Sequence, residues 1–134
     1  MGQQQLLLII LGVIVVGIAV AVGITMFKDN AVSANRDAVT NDLVNLASRA
    51  QQFYRRPTAL GGGQGKFDLL TNISQLTSKP TNANGSYALT AGTGNGPVIL
   101  VGTGTEIGND GSAAVKVVMN VYPDSVVVDA SQTN

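Results

Sequence analysis

The chain has no cysteine, no histidine and no tryptophan. Without cysteine there can be no disulfide, iron–sulfur cluster, thiolate zinc site or CxxCH haem attachment. Without histidine the Ser-His-Asp and Cys-His mechanisms fall away, together with the commonest metal ligand. Glutamate occurs once, as Glu106. A Ser-Lys pair is the nucleophilic arrangement these residue types still permit, and the chain does not read as an enzyme. Eight cations balance eight carboxylates, so nothing in the charge indicates a nucleic-acid partner. Six aromatics, Phe27, Phe53, Tyr54, Phe67, Tyr87 and Tyr122, are too sparse for a conducting stack and suit core and interface positions. No cofactor is implied.

Two further absences are local. Met1 to Phe27 carries no charged side chain, and no proline occurs between Gln3 and Tyr54. Leu6 to Phe27, as an α-helix, would reach roughly 33 Å, near the hydrocarbon thickness of a bilayer. Fifteen of its residues are Leu, Ile, Val or Phe, each favouring membrane insertion by roughly 0.3–0.6 kcal/mol. A cleaved secretory signal is the rival reading, but it calls for a basic start and a shorter apolar core. Here the first cation is Lys28, beyond the apolar run.

Past Lys28 the helical pattern continues. Val32, Val39, Leu43, Leu46, Ala50 and Phe53 fall on one stripe at spacings of seven, four, three, four and three. Arg55 and Arg56 suit the negative end of a helix dipole, and Pro57 supplies a stop. The pattern predicts one helix over about 3–54, apolar throughout residues 1–27 and amphipathic over 28–54, followed by a globular domain over 55–134. Within that domain, TALGGGQGKF reads as a flexible glycine loop. Asp68 to Leu76 reads as a short helix with Leu69, Ile73 and Leu76 on one side.

Then the period becomes two. SYALTA (86–91), PVILVGT (97–103), AAVKVVMNVY (113–122) and SVVVDA (125–130) are strand candidates separated by GTGNG, GNDGS and PD. In the third, Val115, Val117, Met119 and Val121 would face the helix, with Lys116, Asn120 and Tyr122 facing out. Pro123-Asp124 suits a tight hairpin. The expected fold is α+β, with the C-terminal half of the long helix packed on a small four-stranded antiparallel sheet.

An uncharged run, GQQQLLLIILGVIVVGIAVAVGITMF, continued by NRDAVTNDLVNLASRAQQFYRRP and followed by a loop and a small sheet, resembles a bacterial type IV pilin or the related pseudopilins. The resemblance implies a structural subunit that polymerises through its apolar helix into an extracellular pilus-like filament. Its implied partners are copies of itself, the inner membrane before assembly, and an assembly machinery with a motor ATPase. N-terminal methylation and a part in cell adhesion are further implications. A secretion pseudopilin and a monomeric membrane-anchored binding domain are the alternatives.

The family usually has a basic leader cut after a glycine, a Glu at the fifth mature position and a proline within the apolar helix. This chain shows only Met1-Gly2, and its apolar helix contains glycines rather than proline. A mature chain starting at Gln3 has Leu7 in fifth place; one starting at Met1, behind a leader, has Gln5 there. The second frame is preferred, because a Gln amide can take up the hydrogen bond of the usual carboxylate, without its charge.

The expected assembly residues are therefore Met1, Gln3, Gln4, Gln5, Leu6 and Leu7 at the start of the helix. Farther along are Gly12, Gly17 and Gly23, where the helix could melt locally, with Ala19 and Ala21. The pairs Gly17/Ala21 and Ala19/Gly23 have the small-residue spacing that lets apolar helices approach.

Weaker motifs remain. GGGQGKF lacks the phosphate-loop spacing, with Leu60 and Phe67 at required positions, and GTGTEIG (102–108) reads as loop glycines. Asn72 and Asn84 stand in glycosylation acceptor triplets. Asn109, Asp110, Asp124 and Asp129 offer oxygen ligands of the kind calcium takes, but read first as turn formers.

Overall fold

The structure, a computed structural model, describes residues 2–108 and 110–134. Helix α1 runs Gly2–Arg55, close to the span expected. The chain divides into two units, 1–31 and 32–134.

In the first unit the helix is apolar all round and covered by nothing in the chain: its large side chains from Leu6 to Phe27 are all exposed. It is helical without interruption through Gly12, Gly17 and Gly23. Thr25 spends its hydroxyl on the carbonyl of Ala21 one turn back, so it adds little polarity to the run.

In the second unit, β1 (Gly85–Thr90), β2 (Val98–Ile107), β3 (Ala114–Val121) and β4 (Val126–Val128) form an antiparallel meander in chain order. The amphipathic part of α1 packs on one face of this sheet, giving the α+β fold. All six stripe residues, Val32 to Phe53, are buried, joined by Ala47. Facing them are Val98 and Leu100 of β2 and Val115, Val117, Met119 and Val121 of β3. Alternation in β3 thus runs as expected, apart from Val118. That residue is buried on the opposite face, where the chain end returns: Asp129 N–H donates to its carbonyl, and Thr133 Oγ1 accepts from its N–H. The Pro123-Asp124 turn closes as expected, with Tyr122 N–H donating to the carbonyl of Ser125.

Helix and sheet approach closely because β2 presents glycines. A Cβ on Gly102 would lie 2.5 Å from Val39 Cγ1 and 3.2 Å from Leu43 Cδ1, and a Cβ on Gly104 would collide with the Asn35 side chain. The GTGTEIG stretch, expected as loop, is therefore strand through Ile107 and forms the floor under α1. Glycine in such a run signals a turn by composition, whereas its role here is to leave room for another element.

Three other expectations need correction. The segment 68–76 is not a helix: only the 3-10 turn Ile73–Gln75 forms, capped by Asn72, whose own backbone N–H is taken by Gln75 Oε1. Local side-chain hydrogen bonds compete with helix here, and it is Leu70, not Leu69, that is fully buried. The last strand stops at Val128, because Asp129 turns the chain by accepting from Ser131 N–H and Oγ and from Gln132 Nε2.

The glycine loop, lastly, is tied down. N–H groups of Gly63, Gln64 and Gly65 return to the carbonyls of Phe53, Arg56 and Tyr54 at 2.7–2.9 Å, satisfying the orphan carbonyls at the end of α1. Gly63 is buried, and a Cβ there would collide with the Lys66 carbonyl and sit 3.1 Å from Phe53 Cε1. Gly63→Ala is expected to lower stability by roughly 1–3 kcal/mol through overpacking, read as an earlier midpoint in urea unfolding.

Candidate functional site: an uncovered apolar helix and a clamped polar flank

Gln3, Gln4, Gln5, Leu6 and Leu7 all lie on α1 with their side chains exposed; Met1 lies outside the described residues. Gly12, Gly17 and Gly23 have open space where a Cβ would stand, so nothing in this chain's own packing calls for glycine at those positions. Gly17 and Ala21 lie four apart on one helix face, as do Ala19 and Gly23, giving two narrow strips free of large side chains. A surface of this composition stays out of water only in lipid or against other apolar helices. By length and composition, the helix is able to cross a membrane, and it is compatible with anchoring the chain there.

The second unit holds its polar chemistry on one flank of α1. The carboxylate Oδ2 of Asp42 accepts three hydrogen bonds, from Tyr87 Oη at 2.5 Å, Asn82 Nδ2 at 2.9 Å and Asn84 Nδ2 at 3.0 Å. Burial opposes ionisation of Asp42, but the bonds from Asn84, Tyr87 and Asn82 outweigh it and hold the pKa below the ordinary 3.8. Burial, then the hydrogen bond to Asp42 and its charge, push the Tyr87 phenol well above its usual range, so it stays a neutral donor. The arrangement ties helix to β1 and consumes the groups that would otherwise act as acid or base. Beside it lies an open groove of about 490 Å³ lined by Asp42, Arg49, Gln52, Thr77 and Lys79 among others, with Arg49 Nη1 donating to the Leu76 carbonyl at 2.8 Å.

Because the folded pKa of Asp42 is depressed, its contribution to stability is present above 3.8 and lost as pH falls through the lower folded value. The melting temperature of the parent should therefore exceed that of Asp42→Asn at neutral pH. The gap should close as pH falls below 3.8 and through the lower folded value. A gap independent of pH would show that charge plays no part in the clamp.

A second clamp sits one level along the helix. Asn35 Oδ1 accepts from Thr105 N–H at 3.1 Å and Glu106 N–H at 3.3 Å, and its Nδ2 donates to the Asn84 carbonyl at 2.9 Å. These bonds occupy backbone groups freed where the β2–β3 register shifts between Thr103 and Ile107. Neither Asn35 nor Asp42 was singled out in the sequence; both are polar residues flanking the apolar stripe, and only their partners reveal a role.

Of the acceptor triplets, Asn72 uses its side-chain oxygen on Ser74 N–H, while Asn84 spends its amide nitrogen on Asp42. Asp110 and Asp129 act in turns, accepting from backbone N–H groups of residues two or three further on. Asn109 lies outside the described residues. Among the described residues, no three His, Cys, Asp or Glu side chains converge as metal ligands would. Comparison with protein-family models, curated proteins and solved structures finds no match to the chain.

Proposed function

We propose that this chain is a structural subunit that polymerises through its apolar N-terminal helix into an extracellular type IV pilus-like filament, held in the inner membrane before assembly. The observation that carries the reading is the helix itself: apolar on every side from Leu6 to Phe27, uncovered by the rest of the chain, and continuous with an amphipathic stretch. In a bundle of copies, close-packed side chains replace lipid tails, so the apolar surface stays out of water before and after assembly. Extraction then costs little net free energy, within reach of the motor ATPase that the reading calls for. Gly17/Ala21 and Ala19/Gly23 are the strips at which copies approach, and the glutamines supply hydrogen bonds near the bundle's end.

One observation favours a second reading, a monomeric membrane-anchored domain: the stripe from Val32 to Phe53 is already covered within the chain. The deciding experiment is to shear the source cells, pellet the released material, and examine it by electron microscopy with mass spectrometry of the N-terminal peptide. Filaments built of this chain are expected. Recovery solely from the membrane fraction would overturn the filament and favour the anchored domain or a secretion pseudopilin.

A further inference from the structure

Beside the buried stripe of α1 runs a second stripe that the core does not use. Asp42, Asn45, Arg49, Gln52 and Arg56 follow one another at spacings of three, four, three and four, so their side chains share one face. Arg56 stands just past the helix and keeps the helical bond from its N–H to the Gln52 carbonyl at 3.0 Å. Asp42 is half-buried and the other four are exposed. Arg49 and Gln52 line both the groove of about 490 Å³ and a smaller one of about 230 Å³ that continues it to Arg56.

The opposite wall is the segment 76–82, fastened to α1 at both ends. Arg49 Nη1 donates to the Leu76 carbonyl at 2.8 Å, and Asn82 Nδ2 donates to Asp42 Oδ2 at 2.9 Å. The segment is also tied to β1, by Tyr87 N–H to the Pro80 carbonyl at 2.8 Å. Thr77 and Lys79 line the groove between these fastenings. With both walls held, binding has little left to order.

The charged residues of the lining are three cations, Arg49, Arg56 and Lys79, and one carboxylate, Asp42, whose Oδ2 already accepts from three neutral donors. Along the helix face, amides and cations alternate: Asn45, Arg49, Gln52, Arg56. The two arginines are seven residues apart, roughly 10 Å along the axis. A rigid row of this kind suits a polymer that repeats carboxylates among hydroxyls, with guanidinium forks for the first and amides for the second. Other ligand classes fit less well. Tyr87 and Phe53, the aromatics of the lining, are only 6% and 7% exposed, so no ring is open to stack on a nucleobase. Neither wall is a strand, so a peptide backbone has no edge to join.

We propose that this groove binds a segment of acidic polysaccharide, its uronate carboxylates meeting Arg49, Arg56 and Lys79 and its hydroxyls meeting Asn45 and Gln52. The site lies wholly within the second unit. The inference therefore goes beyond the filament reading and does not depend on it.

The test uses full-length chain in non-ionic detergent at about 150 mM salt, where the screening length is about 8 Å, titrated by calorimetry with hexagalacturonate. Maltohexaose is the neutral chain of equal length, and a short oligothymidylate is an anion of another class. Hexagalacturonate should bind about tenfold more tightly than either, a comparison that needs no variant to fold. Arg56→Gln with Lys79→Gln should weaken its binding about tenfold with the circular dichroism spectrum unchanged. Lys66→Gln with Lys116→Gln removes the same charge at two exposed residues outside the groove and should leave binding at the parent value. Absence of hexagalacturonate binding, equal binding of maltohexaose or oligothymidylate, or a loss no greater from the groove pair than from the outside pair overturns the site. Filament formation is scored separately, and its failure overturns the earlier reading while leaving this one standing.

Discussion

Gly102→Val should cost the second unit roughly 3 kcal/mol of stability, at the upper end for overpacked cores. The position lies on β2, where α1 crosses, and even a Cβ would stand 2.5 Å from Val39 Cγ1, with Leu43 Cδ1 and Tyr87 Cε1 each at 3.2 Å. Valine adds two methyls to a space that already refuses one. Relief requires either the helix to lift from the sheet, uncovering Val39 and Leu43, which are wholly buried, or β2 to bulge away from Tyr87. Lifting also breaks the Asp42–Tyr87 hydrogen bond, so the penalty extends to the polar flank. Urea unfolding of the full chain in micelles, followed by tyrosine fluorescence, reads the loss as a lower midpoint with an unchanged slope. Gly17→Ala is the matched control: its added methyl meets open space, and alanine is the better helix former by about 1 kcal/mol. If the two substitutions shift the midpoint alike, Gly102 is not the seat of helix–sheet contact.

That contrast between two glycines also explains what the sequence could and could not convey. Periodicity reports which side chains of one element share a face, and so the helix to Arg55, its stripe and the alternation of β3 could all be read directly. Glycine reports only that a side chain is absent. In GTGTEIG the absence makes room for α1, in TALGGGQGKF it lets backbone N–H groups reach the end of the helix, and at Gly12 nothing in the chain requires it. The three meanings separate once the neighbouring element is in place.

The polar clamps follow the same logic. Asn35 and Asp42 acquire their roles from Glu106 and Tyr87, which lie 71 and 45 residues away, and no local pattern links residues so far apart. The missing helix at 68–76 is the converse case. Its apolar spacing was suitable, but Asn72 and Gln75 hydrogen-bond to nearby backbone and stop the helix within a turn.

Val16→Arg tests the first unit where its effect should be largest. Val16 lies near the middle of the apolar run, is exposed on a helix that the rest of the chain leaves uncovered, and has no charged residue on either side from Leu6 to Phe27. An arginine at the centre of a membrane helix costs roughly 2.5–3.5 kcal/mol, and the lost valine removes a few tenths more. Partition into membrane should therefore fall on the order of a hundredfold, measured as the fraction of chain that stays in the pellet after alkaline carbonate extraction. Assembly should fall with it, because a guanidinium in a dry bundle has neither water nor a carboxylate to face. Val44→Arg provides the comparison: that valine is also exposed, at 47%, but belongs to the second unit, where nothing apolar is expected to surround it. A chain carrying Val16→Arg that remains in the pellet as fully as one carrying Val44→Arg would show that the first 27 residues neither anchor the protein nor form its assembly surface. If Val16→Arg alone is released, the membrane-anchoring role stands on this helix.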